Sequence, residues 1–199
     1  MKRILLLVVV LATPAFSQTD YVRDWLILGT FPHADDGTRL SYDYLGADAA
    51  ASPRGGEVLA GHRWLLYHSP REFIDFLWGD LPFDAREHCA VYAAFFVNSP
   101  KDQKTRLLVG SDDGITISCN GQQVHFNDVS RGLQLDNDTV TVQLKTGWNT
   151  LLLKIVNNDG GYGAAARFAD GEGLILSAVN PFSPPHPLSS ISFIHPQGT

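Results

Sequence analysis

The stretch from Val109 to Asn127, V-G-S-D-D-G-I-T-I-S-C-N-G-Q-Q-V-H-F-N, constrains the fold more than any other part of the chain. Ile115, Ile117 and Cys119 alternate with Thr116 and Ser118, the period-two pattern of a strand with one buried face. Asn120-Gly121 then supplies the residue pair favoured in two-residue hairpin turns, and Asp112-Asp113-Gly114 supplies a different turn chemistry at the other end. A strand set between two such turns reads as part of a β-sandwich.

The rest of the chain carries the same signals at regular spacing. Strands are expected at Arg23 to Phe31, Trp64 to His68 and Glu72 to Leu77, and at Cys89 to Asn98, which is apolar on both faces and therefore central. Further strands are expected at Thr105 to Gly110, Ile115 to Asn120, Gln123 to Phe126, Thr139 to Leu144, Asn149 to Val156 and Ala164 to Phe168. Residues 33–63, rich in Asp, Gly, Ala and Pro, read as a long excursion packed on the sandwich, with a helical turn near Tyr42 to Gly46. The fold class expected is all-β, an antiparallel sandwich.

Residues 1–17 combine Lys2 and Arg3, the apolar run Ile4 to Ala12 and small residues at Ala15 and Ser17, the pattern of a secretory signal peptide cut before Gln18. That run is too short for a permanent membrane span, so the mature chain is expected to be secreted or periplasmic with no span after cleavage. Residues 18–179 then form one domain. Residues 180–199, with Pro181, Pro184, Pro185, Pro187 and Pro196, form a tail that cannot enter a sheet interior. A formal net charge of -6 with scattered Lys and Arg gives no footprint for nucleic acid. Cys89 and Cys119 each share a strand face with apolar residues, which suits two buried thiols or a bridge between them.

Several segments together carry a resemblance: Asp24-Trp25-Leu26-Ile27-Leu28-Gly29-Thr30-Phe31-Pro32, Ala90-Val91-Tyr92-Ala93-Ala94, Leu107 to Gly114, Asn120-Gly121, and Leu144 to Lys154. Over residues 20–175 the chain resembles the galactose-binding-like jelly-roll modules attached to secreted bacterial hydrolases, related to the sugar-binding domain of glycoside hydrolase family 2. The resemblance implies a non-catalytic jelly roll that binds sugar. Two departures stand out: Cys119 takes the place of a large apolar residue, and no enzyme domain accompanies the module. Asp112-Asp113-Gly114 is also similar to the sugar-binding adhesins that share the anthrax protective-antigen module, which implies calcium held by adjacent aspartates joined through a cis peptide.

On the residues themselves, Asp112 and Asp113 admit two readings, carboxylates that cap a turn with Gly114 supplying a positive φ, or ligands to Ca2+. Tyr162 and Trp78, each beside a glycine in an expected loop, are the aromatic candidates for stacking on a sugar ring. Arg131 with His125, Asn127 and Asp128, and Asn158 with its neighbours Asn157 and Asp159, offer donors and acceptors for hydroxyls near one end of the sandwich. His62 and His68 lack a third metal ligand. There is no H-E-x-x-H, G-x-S-x-G, phosphate-binding glycine loop or C-x-x-C. No cofactor beyond that Ca2+ is implied.

The expected function is therefore a secreted, non-catalytic, carbohydrate-binding module whose partner is a glycan or cell-surface polysaccharide. The alternative is a structural module that assembles with a secreted protein partner. A glycoside hydrolase built on a carboxylate pair is the third reading.

Overall fold

The computed structural model describes residues 20–33, 37, 39–46, 52–77, 81–182 and 193–194. All regular structure among them is β: β1 (Asp24–Pro32), β2 (Val58–Leu59), β3 (His62–Arg63), β4 (Leu65–His68), β5 (Ile74–Asp75), β6 (Cys89–Ser99), β7 (Gln103–Asp112), β8 (Ile115–Cys119), β9 (Gln122–Asn127), β10 (Asp138–Leu144), β11 (Gly147–Asn157), β12 (Gly163–Phe168), β13 (Ile175–Ser177) and β14 (Phe193–Ile194). An eight-stranded sheet runs β14-β4-β1-β6-β11-β8-β9, with β13 also paired to β6, and a four-stranded sheet runs β10-β7-β12-β5. All pairings in these two sheets are antiparallel except β14 with β4. The fold is the antiparallel jelly-roll sandwich expected.

The period-two alternation decides which side chains meet between the sheets. From the large sheet come Trp25 and Ile27, Val91, Ala93, Phe95 and Val97, Leu151, Leu153 and Ile155, and Ile115, Ile117 and Cys119; from the small sheet come Leu107 and Val109, Val140, Val142 and Leu144, Ala164, Ala166 and Phe168, and Ile74. Strands β6 and β11 read as apolar on both faces because the large sheet is covered twice. Its other face carries Leu26, Leu28, Leu66, Ala90, Tyr92, Ala94, Phe96, Leu152 and Val156, packed with Phe31, Leu40, Leu45 and Trp64. The excursion after β1 thus supplies a second, outer apolar layer.

The hairpin at Asn120-Gly121 joins β8 to β9 with both residues at positive φ, 52° and 78°, the geometry of a type I′ turn. Asn120 Oδ1 accepts the Thr150 N–H at 2.9 Å and ties the turn to β11.

Other expectations need correction. No helical turn forms over residues 42–46, where the Asp43 carboxylate instead accepts the N–H groups of Leu45 and Gly46 at 2.9 and 3.0 Å and holds an irregular turn. The strand expected from Glu72 to Leu77 shrinks to Ile74–Asp75, and β13 adds a strand that carried no turn-bounded pattern. Gly114 does not take a positive φ; a Cβ there would meet the Asn127 carbonyl at 3.1 Å and Val156 at 3.2 Å, so its small size is what matters. The peptide bonds Gly29–Thr30 and Asp112–Asp113 are cis.

Cys89 and Cys119 are free and buried. Both face the sandwich core, but β11 lies between their strands, pairing Asn157 with Cys89 and Leu151 with Cys119. Six residues of rise and two strand spacings put them about 20 Å apart, well beyond the roughly 7 Å that a bridge tolerates. The signal peptide expected at residues 1–17 lies outside the described residues.

Candidate functional site

The register of the small sheet builds one site on its outer face. Gly163 of β12 pairs with Asp112 of β7 on one side and with Asp75 of β5 on the other. Ile74, Val109 and Ala164 on these three strands point into the core, so Asp75, Gly163 and Asp112 form a row on the opposite face. Two carboxylates therefore rise from the strands on either side of β12, their Cα atoms about 10 Å apart, with no β-carbon between them at Gly163. A cleft of about 600 Å3 lies over this row, walled by Arg23, Arg71, Glu72, Phe73, Leu77, Leu133 and Leu135, among others.

The charges in the cleft differ in how they are held. Asp75 Oδ1 accepts the Leu77 N–H at 3.0 Å, and its Oδ2 lies 3.6 Å from the Arg71 guanidinium. Burial, and then the neighbouring Asp113 and Asp75 charges, push the Asp112 carboxyl up from the ordinary aspartate range against the pull of the Leu133 N–H. Arg23 Nη1 is buried with no hydrogen-bond partner among the described residues. A donor that has lost water without gaining an acceptor costs about 1–3 kcal/mol.

A polar network behind the row fixes the loop between β9 and β10. Arg131 reaches Asp138 with two N–H···O bonds of 3.0 and 2.6 Å, donates to the Ser111 carbonyl at 3.2 Å and to its hydroxyl at 2.9 Å. Asn127 donates to the same carboxylate at 3.2 Å. The Asp113 carboxylate accepts the Arg131 N–H at 2.8 Å and the Asn158 N–H at 2.9 Å, so it holds two loops at once. Arg39 bridges Asp128, at 2.8 Å, and the Asn158 side-chain carbonyl. Arg131 and Asn127 hold the Asp138 carboxyl below the usual aspartate range, the Arg131 hydrogen bonds contributing most.

The residues expected to bind ligand meet different fates. Asn127, Asp128, Arg131 and Asn158 do come together at one end of the sandwich, but their polar groups are engaged with Asp138, Arg39, Asp113 and Ser130. Tyr162 is not an exposed loop aromatic: it is 3% exposed, its ring lies 4.9 Å from that of Phe76, and its hydroxyl donates to the Ile155 carbonyl at 3.1 Å. The residue borders the cleft from beneath. Trp78 lies outside the described residues. His62 packs edge-on against Phe31, while His68 bonds Asp24 at 2.7 Å, so the two histidines serve separate contacts.

The cleft-lining Arg23, Arg71, Glu72, Phe73, Asp75 and Gly163 went unread in the sequence. They come from three separated segments and share no motif; the pairing of β5 with β12 and the Ser69 N–H bond to the Arg23 carbonyl assemble them.

Asp112 and Asp113, joined by a cis peptide, both accept backbone donors. Both Asp113 oxygens accept backbone N–H groups, Asp112 accepts that of Leu133, and among the described residues no group of three or more His, Cys, Asp or Glu side chains is placed to hold a metal.

No protein-family profile and no curated protein matches the sequence. Among solved structures, the chain is similar to a family 35 carbohydrate-binding module from an environmental isolate, at 16% identity over 48% of this chain and 77% of that one, with a TM-score of 0.39. It is similar to an anti-sigma factor domain-containing protein at 10% identity over 84% of this chain and 48% of the other, TM-score 0.47. It is also similar to the epithelial adhesin 9 A domain of Candida glabrata, solved in complex with Galb1-4GlcNAc, at 11% identity over 79% and 85% of the two chains, TM-score 0.38. Likenesses this distant say nothing of what the present chain binds.

Proposed function

We propose that this protein binds carbohydrate without transforming it, in the cleft over the Asp75–Gly163–Asp112 row, after export and loss of residues 1–17. The observation that carries this reading is an outward-facing cleft lined by two carboxylates together with Arg23 and Arg71. A sugar hydroxyl both donates and accepts, and a cleft with guanidinium donors and carboxylate acceptors answers both halves of that chemistry. Phe73 adds an apolar wall of the kind that lies against the C–H face of a pyranose. Gly163 leaves room for the Leu133 side chain, whose Cδ2 lies 3.4 Å from where a Cβ would stand, and the loop carrying Leu133 and Leu135 closes one wall.

The test is a glycan-array measurement on the purified protein, run with calcium and with chelator, and repeated with Asp75→Ala and Arg23→Ala. Saturable binding to a narrow glycan class, retained in chelator and weakened tenfold or more by either substitution, is expected. An array without signal would overturn the reading and shift the weight to a protein-assembly module. Release of chromophore from an aryl glycoside would overturn its non-catalytic part.

A further inference from the structure

The opposite face of the molecule holds a second, smaller cavity with a buried cation. On the outer face of the large sheet, register aligns Tyr92 of β6, Lys154 of β11 and Thr116 of β8 in one row, and Leu152, Ser118 and Gln123 in the next. Leu40, Ser41 and Asp43 close over these rows and leave a pocket of about 180 Å3. Lys154 is 6% exposed. Its ammonium donates to the Tyr42 carbonyl at 2.5 Å and lies 5.9 Å from the centre of the Tyr44 ring, and it forms no ion pair among the described residues. Asp43 is the near carboxylate, and its Oδ1 is occupied by the N–H groups of Leu45 and Gly46.

We propose that this pocket is a binding site for a small hydroxycarboxylate, whose carboxylate pairs with the Lys154 ammonium and whose hydroxyls meet Thr116, Ser118 and Gln123. A lysine ammonium carries three donors and a full charge; one carbonyl and one aromatic face leave both largely unanswered. Burial holds the Lys154 amine down to about 8 against the pull of the Asp43 charge, and an anion in the pocket offsets that penalty. The volume suits a ligand of few atoms and lies below the range of ordinary drug-sized sites. The neighbouring hydroxyl and amide groups distinguish this pocket from a bare anion hole and set the class of ligand. This site shares no residue with the cleft on the small sheet.

The measurement is an amide NMR titration of the purified protein with lactate and, in parallel, with lactamide, which keeps the shape and the hydroxyl but not the charge. Lactate is expected to shift the Lys154, Thr116 and Ser118 signals saturably, with a Kd on the order of 1 mM, while lactamide leaves them in place. Lys154→Met, which keeps the apolar stem, is expected to abolish the lactate response, and Ser118→Val to weaken it about tenfold. Equal responses to lactate and lactamide in the native protein, or no saturable response to lactate, would overturn the proposal without reference to any variant.

Discussion

Arg131 and Asp138 form a two-pronged ion pair, with Nη1 to Oδ1 at 3.0 Å and Nη2 to Oδ2 at 2.6 Å, and their side chains retain only 16% and 14% of their exposure. The same guanidinium holds the Ser111 carbonyl, and its backbone N–H is held by Asp113. Removing Arg131 strands a shielded carboxylate and frees the loop between β9 and β10. Arg131→Ala is expected to cost about 2–4 kcal/mol in urea denaturation. The folded Asp138 carboxyl is held low by Arg131, so its contribution is complete above the unfolded aspartate range and fades as pH falls through the folded value. The gap between native protein and variant should accordingly narrow on acidification.

Two glycines around the cleft separate stability from binding. A Cβ on Gly110 would lie 2.2 Å from the Gln134 carbonyl oxygen, part of a backbone that has no easy way to yield. Gly110→Ala should lower stability by about 2–3 kcal/mol by thermal melt. A Cβ on Gly161 would lie 2.2 Å from Asp112 Oδ2, a side-chain atom that can turn aside. Gly161→Ala should therefore leave most of the stability and reduce glycan binding, since it displaces a carboxylate of the row.

Burial pushes the Cys89 and Cys119 thiols up to about 11. In the folded protein at pH 8 neither should react with a thiol reagent on the timescale that modifies both after unfolding in guanidinium. Fast labelling of the native state, or an intact mass lower by two hydrogen atoms, would contradict the placement of these strands.

Lys154 provides a second pH signature, at the alkaline end. Its folded amine titrates near 8 against 10.5 in the unfolded chain, so between those values the unfolded state binds more protons and stability from this group rises with pH. The full penalty is present below pH 8 and is relieved by the upper limit. Lys154→Met should gain on the native protein at pH 7 by up to about 3 kcal/mol, less the lost bond to Tyr42, and that advantage should shrink through pH 9. Chemical denaturation of both proteins across this range reads it directly, with the cysteines common to both and cancelling.

How far the sequence could be read followed the range of the interactions involved. Ile115 to Cys119, the Asn120-Gly121 turn and the two-faced apolar strand at Cys89 are local patterns, and each appears where its period and turn chemistry place it. Tyr162 does lie in the loop before β12, but its ring turns into the core and meets Phe76, which a glycine neighbour does not reveal. The clustering of Arg131, Asn127 and Asn158 was foreseen, but their engagement with Asp138 and Asp113 depends on partners up to 45 residues away. The row of Asp75, Gly163 and Asp112 depends on the pairing of three strands and left no trace in spacing.

Strand β6 has a further property. Its residues Cys89 to Ala94 pair with β1, and its residues Phe96 to Asn98 pair with β13, both antiparallel and along one edge. Following that edge, Ser177 at the end of β13 gives way to Leu26 of β1 with the chain direction unchanged. The two strands amount to one continuous strand delivered in two pieces from distant parts of the sequence. Strand β6 is therefore fully covered along that edge only when an early and a late segment of the chain are both in place.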